Sequence, residues 1–544
     1  MNLDRRLSRR FLITGLILGL ACASLAARAQ TGPKQEAPKT QAQGQSSAAS
    51  LREEVERYRG ANEAAIVREL AGFVAIPNVA ADKPNIARNA QHLLTMLRAR
   101  AIDARLLETP DASPAVYGEV PSAGAQRTVV FYAHYDGQPV DATQWKTPPW
   151  TPVLRDKALD QGGVEIPLPD AGRISGEARL YGRAAADDKA PIVAMLNALD
   201  ALRAAHVMPS VNLKFYFEGE EEAESPHLRS SLERNRDLLR ADAWIFCDGP
   251  VHQSRRMQVV YGARGVVPLE LTVYGATRAL HDGHYGNWAP NPAALLASLL
   301  ASMRDLDGRV TIAGFSDGAR PIGDLDREAI AQIPKVDAEL RRSFGLARTE
   351  ADDAPLAERI LLPAMNVRGL FAGHVGAQAA NAIPTEARAS IDFRLVPDQK
   401  TEAVRAAVER HLAAQGYFVV RGEPDLPTRL AHPRIVRAEW KQGYPGVRTP
   451  MDAPFARAVG GVVGQSLGGA PVVHLPIQGG SVPLATLQEV LGVPVVLLPI
   501  VNHDDNQHAA NENLRLQNLW DGIDVFAALF ARLGPSWPPG GASR

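Results

Sequence analysis

The stretch Thr128-Val129-Val130-Phe131-Tyr132-Ala133-His134-Tyr135-Asp136 joins a strand to reactive side chains. Its β-branched and aromatic run predicts a strand from Thr128 to Tyr132, and this strand ends at a histidine with an aspartate two positions on. The pattern recurs along the chain. Leu213-Lys214-Phe215-Tyr216-Phe217 leads to Glu221-Glu222, and Ala243-Trp244-Ile245-Phe246 to Asp248; Val495-Val496-Leu497-Leu498-Pro499 precedes His508. Asp187-Asp188 stands before Ala190–Leu202, whose apolar spacing predicts a helix. Strands and helices therefore alternate, which favours an α/β architecture. The metal-type residues fall just past the carboxyl ends of strands, where open α/β sheets bind their ligands.

A separate unit is expected between residues 265 and 446. It opens with a strand over Val266–Val273, continues with helices near Asn291–Ser302 and Thr401–Ala414, and has a strand over Ala387–Arg394 between them. The reactive residues lie on both sides of it, so it reads as an inserted domain.

The 544 residues suffice for two or three domains and a substantial core. Lys and Arg (59) nearly cancel Asp and Glu (60), which argues against a nucleic-acid or acidic-membrane partner. Arg5, Arg6, Arg9 and Arg10 head an apolar stretch that ends at Ala27-Arg28-Ala29. Residues 1–29 thus read as a signal peptide with a twin-arginine character, and predict a periplasmic or secreted protein without a stable membrane anchor. After cleavage Cys247 would be the only cysteine, which excludes an internal disulfide. Residues 30–50 read as a flexible linker and 534–544 as an irregular tail. The globular part divides into 51–264, the insertion 265–446, and 447–533.

Each cluster alone has an ordinary explanation: a solvated turn for Glu221-Glu222, a helix cap for Asp187-Asp188, a surface histidine for His508. Their conjunction points to a hydrolytic site for two cations. Such a site needs a bridging carboxylate, further His or carboxylate ligands, a water, and one carboxylate free to take the water's proton. Of Glu221 and Glu222, one can bind metal while the other acts as base. Asp136 can fix the His134 tautomer through a hydrogen bond.

The chain resembles the carnosinase, aminoacylase and acetylornithine-deacetylase family of dinuclear zinc metallopeptidases (metallopeptidase family twenty), nearest to carnosinase-like dipeptidases. The matching segments run in order: Phe131 to Pro139, Leu180 to Lys189, Phe217 to Glu222, Leu280-His281-Asp282-Gly283, Gly479-Gly480-Ser481-Val482-Pro483, and His508 to Glu512. The resemblance implies a mixed-sheet catalytic domain with helices on both faces, interrupted by an inserted α+β, ferredoxin-like lid and dimerisation domain. It implies that Asp187 bridges two divalent ions, zinc first, with manganese or cobalt compatible. His134 and Asp248 would complete one site and Glu222 and His508 the other, with Glu221 as general base. It further implies a cis peptide after Asp187, an oxyanion role for His281 (often reached from a partner subunit), a carboxylate-gripping role for Arg394, and a homodimer.

Asp at position 248 and the His-Tyr-Asp-x-Gln-Pro form lean toward dipeptides or short peptides as substrates. An N-acyl-amino-acid deacylase or carboxypeptidase on the same metals is the alternative, and a non-catalytic binding protein the outlier. Ala184, Ala190 and Glu224 depart from glycines that the family commonly has. Gln478 stands where carnosinase-like members often carry Glu.

Overall fold

The computed structural model describes residues 40–351 and 353–538. Its largest sheet has eight strands, in spatial order Asp103–Leu107, Ala115–Val120, Asn212–Glu218, Thr128–His134, Ala243–Phe246, Val495–Leu497, Gln258–Val260 and Val473–Leu475. The sheet is mixed. Thr128–His134 runs parallel to both of its neighbours and Val495–Leu497 runs parallel to Ala243–Phe246, while the strands next to Asn212–Glu218 and Val495–Leu497 at the flanks are antiparallel. Four parallel strands therefore end on one edge, and His134, the Glu221–Glu222 turn, Asp248 and the His508 loop all follow those ends.

Alternation along the strands divides the core into two layers. Val129, Phe131, Ala133, Phe215, Phe217 and Ile245 face the layer that includes the helices Lys189–Ala204, Pro454–Ser466 and Leu516–Ser536. Val130, Tyr132, Tyr216, Trp244, Phe246 and Leu497 face the layer with Leu228–Arg234 and Leu484–Leu491. Phe131 meets Phe530 edge-to-face at 5.0 Å, which locks the long final helix to the central strand.

The second large sheet is built within the insertion. Its order is Ala364–Phe371, Glu386–Leu395, Gly265–Tyr274, Ile435–Trp440 and Phe418–Val420. Phe418–Val420 runs parallel to Ile435–Trp440, while the first four strands are antiparallel to one another. With the helices Pro292–Met303 and Thr401–Ala414 in the connections, they have the ferredoxin-like order. Both sheets belong to one compact unit, Gln45–Arg544.

Two expectations are corrected. The first helix, Thr40–Val74, begins inside the stretch read as linker. Once Val55, Ile66, Val67 and Leu70 anchor the helix in the core, extending it through Ala- and Gln-rich sequence costs little. The last helix runs to Ser536 through Gly534 and Pro535, into the stretch read as irregular. Gly534 turns its N–H to Ser210 Oγ (3.0 Å), and Trp537 buries against Phe455. The signal peptide, the linker before residue 40 and the tail after 538 lie outside the described residues. Among those described, no helix is long and apolar enough to cross a membrane.

Candidate metal centre

His134 ends its strand fully buried, and its two ring nitrogens are held by different aspartates. Nδ1 faces Asp136, 3.3 Å from its backbone carbonyl and 3.4 Å from Oδ1, and Nε2 lies 3.0 Å from Asp187 Oδ1. Asp136 also accepts the backbone N–H groups of Glu221 (3.1 Å, Oδ1) and Glu222 (3.0 Å, Oδ2). One carboxylate thus orients the imidazole and the glutamate turn together. That turn closes through Glu224 at φ 67°, a left-handed conformation at a position where the resembled family commonly has glycine.

Asp187 sits between two groups of donors. Its Oδ2 lies 3.1 Å from His508 Nε2, which is itself 3.2 Å from Glu222 Oε2. Gln507 donates to Asp187 Oδ2 (2.9 Å) and Gln138 to Glu222 Oε2 (2.8 Å). The Asp187–Asp188 peptide bond is cis, as the resemblance implies. Two trios of donor atoms result, each within 4.8 Å: His134, Glu221 and Asp248, and Asp187, Glu222 and His508. Glu221, expected as a free base, is therefore also within ligand reach of the first trio.

The electrostatics fit cations. Burial, reinforced by Asp187, pushes the Asp248 carboxyl up to about 7. Burial and Asp248 push Glu221 up as well, and burial and Asp187 push up Glu222. His508 is driven up to about 11 by its bonds to Asp187 and Glu222. Asp187 alone is held down, despite its burial, by its bonds to His134 and His508. That the surrounding carboxyls and both imidazoles are pushed up marks a site short of positive charge. Lys189, the nearest buried cation in sequence, points away, toward Phe73 O (2.8 Å) and Asn89 Oδ1 (2.8 Å). His134, Asp187, Glu222, Asp248 and His508, with Glu221 adjacent, have the composition and grouping to hold two divalent ions.

The sequence profile of Peptidase family M20/M25/M40 matches residues 130–532. The chain belongs to this peptidase family. Human Beta-Ala-His dipeptidase is 26% identical over 89% of this chain and 93% of its own. The Cys-Gly metallodipeptidase DUG1 of Saccharomyces cerevisiae is 27% identical over 78% of this chain and 83% of its own. Among solved structures, an M20 family metallo-carboxypeptidase from Sulfolobus solfataricus superposes with TM-score 0.71 at 26% identity, covering 86% of this chain and 99% of that one. Human carnosine dipeptidase 1 shares the fold at TM-score 0.68 and 23% identity, over 89% of this chain and all of its own. The protein is an M20 metallopeptidase, a hydrolase of amide bonds, and its two donor trios are the candidate metal ligands.

In this M20 peptidase the metal centre forms one end of a cavity of about 490 Å³. Arg394 lines the same cavity from the inserted domain, its Nε on Asp392 Oδ2 (2.7 Å) and its Nη1 on Ser481 Oγ (2.8 Å). It is both an ion pair with Asp392 and a cation facing the site. His281 is not brought to the centre of its own chain. Its side chain is 54% exposed, accepts the Gly283 N–H (3.1 Å), and does not line the cavity.

Sequence reasoning missed two contributors. Ile333, Pro334, Leu356 and Ile360 form an apolar wall of the cavity, from an insertion segment with no periodic pattern. Arg264 fastens that wall, donating to the carbonyls of Arg359, Ile360 and Leu362 (2.6–2.7 Å). Glu512 was in a quoted motif, yet no role was attached to it.

Proposed function

We propose that this M20 peptidase is an exported enzyme that cleaves dipeptides or short peptides, with Glu221 as general base and acid. One arrangement carries the reading: two donor trios joined through Asp187 at the end of a cavity that also holds Arg394. The bound cations would polarise the scissile carbonyl and acidify the attacking water, zinc first, with manganese or cobalt suited to the same donors. Glu221 takes the water's proton and delivers it to the leaving amine nitrogen. Asp136 keeps His134 and the Glu221 backbone in register. Arg394 keeps guanidinium donors free beyond Asp392 and Ser481, and these take the substrate carboxylate.

His281 serves the oxyanion of a second copy in a homodimer. Support comes from its exposure and from the edge strand Ala364–Phe371, whose Leu370 and Phe371 are 60% and 58% exposed. The basic head and the Ala27-Arg28-Ala29 site support export. Intact mass of the protein recovered from producing cells is expected to show a start at Gln30; a mature chain beginning at Met1 would contradict cleavage.

The deciding assay compares free dipeptides with N-acetylated amino acids on zinc-loaded enzyme. Faster turnover of free dipeptides is expected. One observation favours the deacylase or carboxypeptidase alternative: Gln478, uncharged, lines the cavity, so no carboxylate at that position greets a substrate ammonium. Turnover confined to N-acylated substrates would establish that alternative.

A further inference from the structure

The loop that carries Asp187 and the loop that carries His508 are distant in sequence and irregular in backbone. Ala184 adopts φ 64°, and on the other side Asn506, His508 and Asn511 adopt 58°, 61° and 61°. Non-glycine residues held left-handed are strained and persist only where their surroundings over-determine them. At Ala184 that surrounding is one buried side chain, which also reaches toward the His508 loop through Arg183.

Glu512 is 0% exposed. Its Oε1 accepts the backbone N–H groups of Ala186 (3.0 Å) and Asp187 (3.0 Å). Its Oε2 accepts the Ala184 N–H (3.0 Å) and Arg183 Nη1 (2.8 Å). Its own carbonyl accepts the Gly182 N–H (3.1 Å). Arg183 closes the circuit by donating from Nη2 to Ala509 O (3.3 Å), next to His508. Every contact to the carboxylate is a donor, and both oxygens are used as acceptors, so the backbone of the Asp187 loop is held by this one group.

We infer that Glu512 is a positioning residue that sets the separation of Asp187 from His508, and with it the affinity for the second cation. The inference rests on the two-cation reading above. Glutamate is required, because a glutamine amide would aim N–H at N–H whichever oxygen it replaced. Alanine would leave three buried backbone donors and one guanidinium without their acceptor. The Asp187 loop would then relax around Ala184, and His508 would lose its partner's position.

The test uses full-length holoenzyme and zinc with a competing chelator. Glu512→Gln is expected to weaken the looser zinc by about 10–100-fold, the usual cost of losing a group that orients metal ligands. kcat should drop with KM within about twofold, as expected when ligand geometry and not substrate binding is lost. Adding Ala184→Gly should restore part of the zinc affinity, since glycine adopts the left-handed turn without the carboxylate's help. Zinc held as tightly as in wild type would overturn the inference. So would a lowered melting temperature with unchanged zinc affinity, which would mean a purely structural role. If Glu512→Gln gives no soluble protein, Arg183→Lys removes the link to Ala509 and should give a smaller loss of the same kind; unchanged affinity there would overturn it equally. Wild-type enzyme that binds no zinc would instead sink the two-cation reading beneath it.

Discussion

Asp136 Oδ1 accepts the Glu221 backbone N–H at 3.1 Å while lying 3.4 Å from His134 Nδ1. A single carboxylate therefore ties a metal-type histidine to the residue proposed as base. Asp136→Ala should lower kcat or zinc affinity by about 10–100-fold, with a smaller change in KM. Asp136→Asn can keep the oxygen that faces Glu221 and His134 while losing the acceptor for the Glu222 N–H, and should fall in between. Steady-state kinetics with zinc analysis would check this; an Ala variant with wild-type kcat and full zinc would refute the coupling.

Glu221 and Asp187 should separate cleanly. Glu221→Gln is expected to retain metal and lose about 10²–10⁴-fold in turnover, the range for a general base. Asp187 contacts both histidines, so Asp187→Ala should empty both sites. Elemental analysis beside kinetics discriminates. Two zincs in Asp187→Ala, or near-normal turnover in Glu221→Gln, would reject the respective role.

Arg394 faces two demands, since it neutralises buried Asp392 and lines the cavity. Arg394→Ala should cut kcat/KM for free dipeptides by about 10–150-fold, as hydrogen bonds to charged groups are worth about 1.5–3 kcal/mol. It should also destabilise, because Asp392 loses its partner. Arg394→Ala with Asp392→Asn should regain melting temperature but not kcat/KM. Recovery of both would reduce Arg394 to a structural ion pair.

The metal-type residues were legible because hydrolysis needs scarce residue types, and these stand where strands end. Parallel strands such as Thr128–His134 announce themselves by β-branched and aromatic content, so the edge to which they point could be read before any contact was known. Glu512 was not legible in role: its partners Ala184 to Asp187 lie more than 300 residues away, and no local pattern encodes that meeting. The wall of Ile333 and Ile360 was hidden for a similar reason, as both residues cap short helices whose local sequence carries no signal of what they will face. The helix from Thr40 and the anchored Trp537 were missed because composition reports propensity, whereas packing decided both ends.

The apolar wall should express itself in specificity. Ile360 packs its Cδ1 3.5 Å from where a side chain at Gly479 would begin, two residues before Ser481, which holds Arg394. A substrate residue whose carboxylate sits on Arg394 thus extends along Ile360. Dipeptides ending in Leu should outperform those ending in Gly by roughly 10–200-fold in kcat/KM, at about 1–3 kcal/mol for apolar contacts. Ile360→Ala should narrow that ratio, and an unchanged ratio would remove the wall from substrate recognition.

Away from the site, Asp524 on the final helix is half-buried, and its Oδ1 has no hydrogen-bond partner among the described residues. Burial raises its carboxyl from 3.8 to about 7. Between those values the native state binds a proton that the unfolded chain has already released. Its contribution to stability is therefore full below about 3.8, is lost as pH rises toward 7, and stays lost above. Asp524→Asn mimics the protonated form at every pH. Its melting-temperature gain over wild type should be small at pH 5, grow to pH 7, and level off by pH 8. A gain that is flat across this range would show that Asp524 is charged and solvated in the native state.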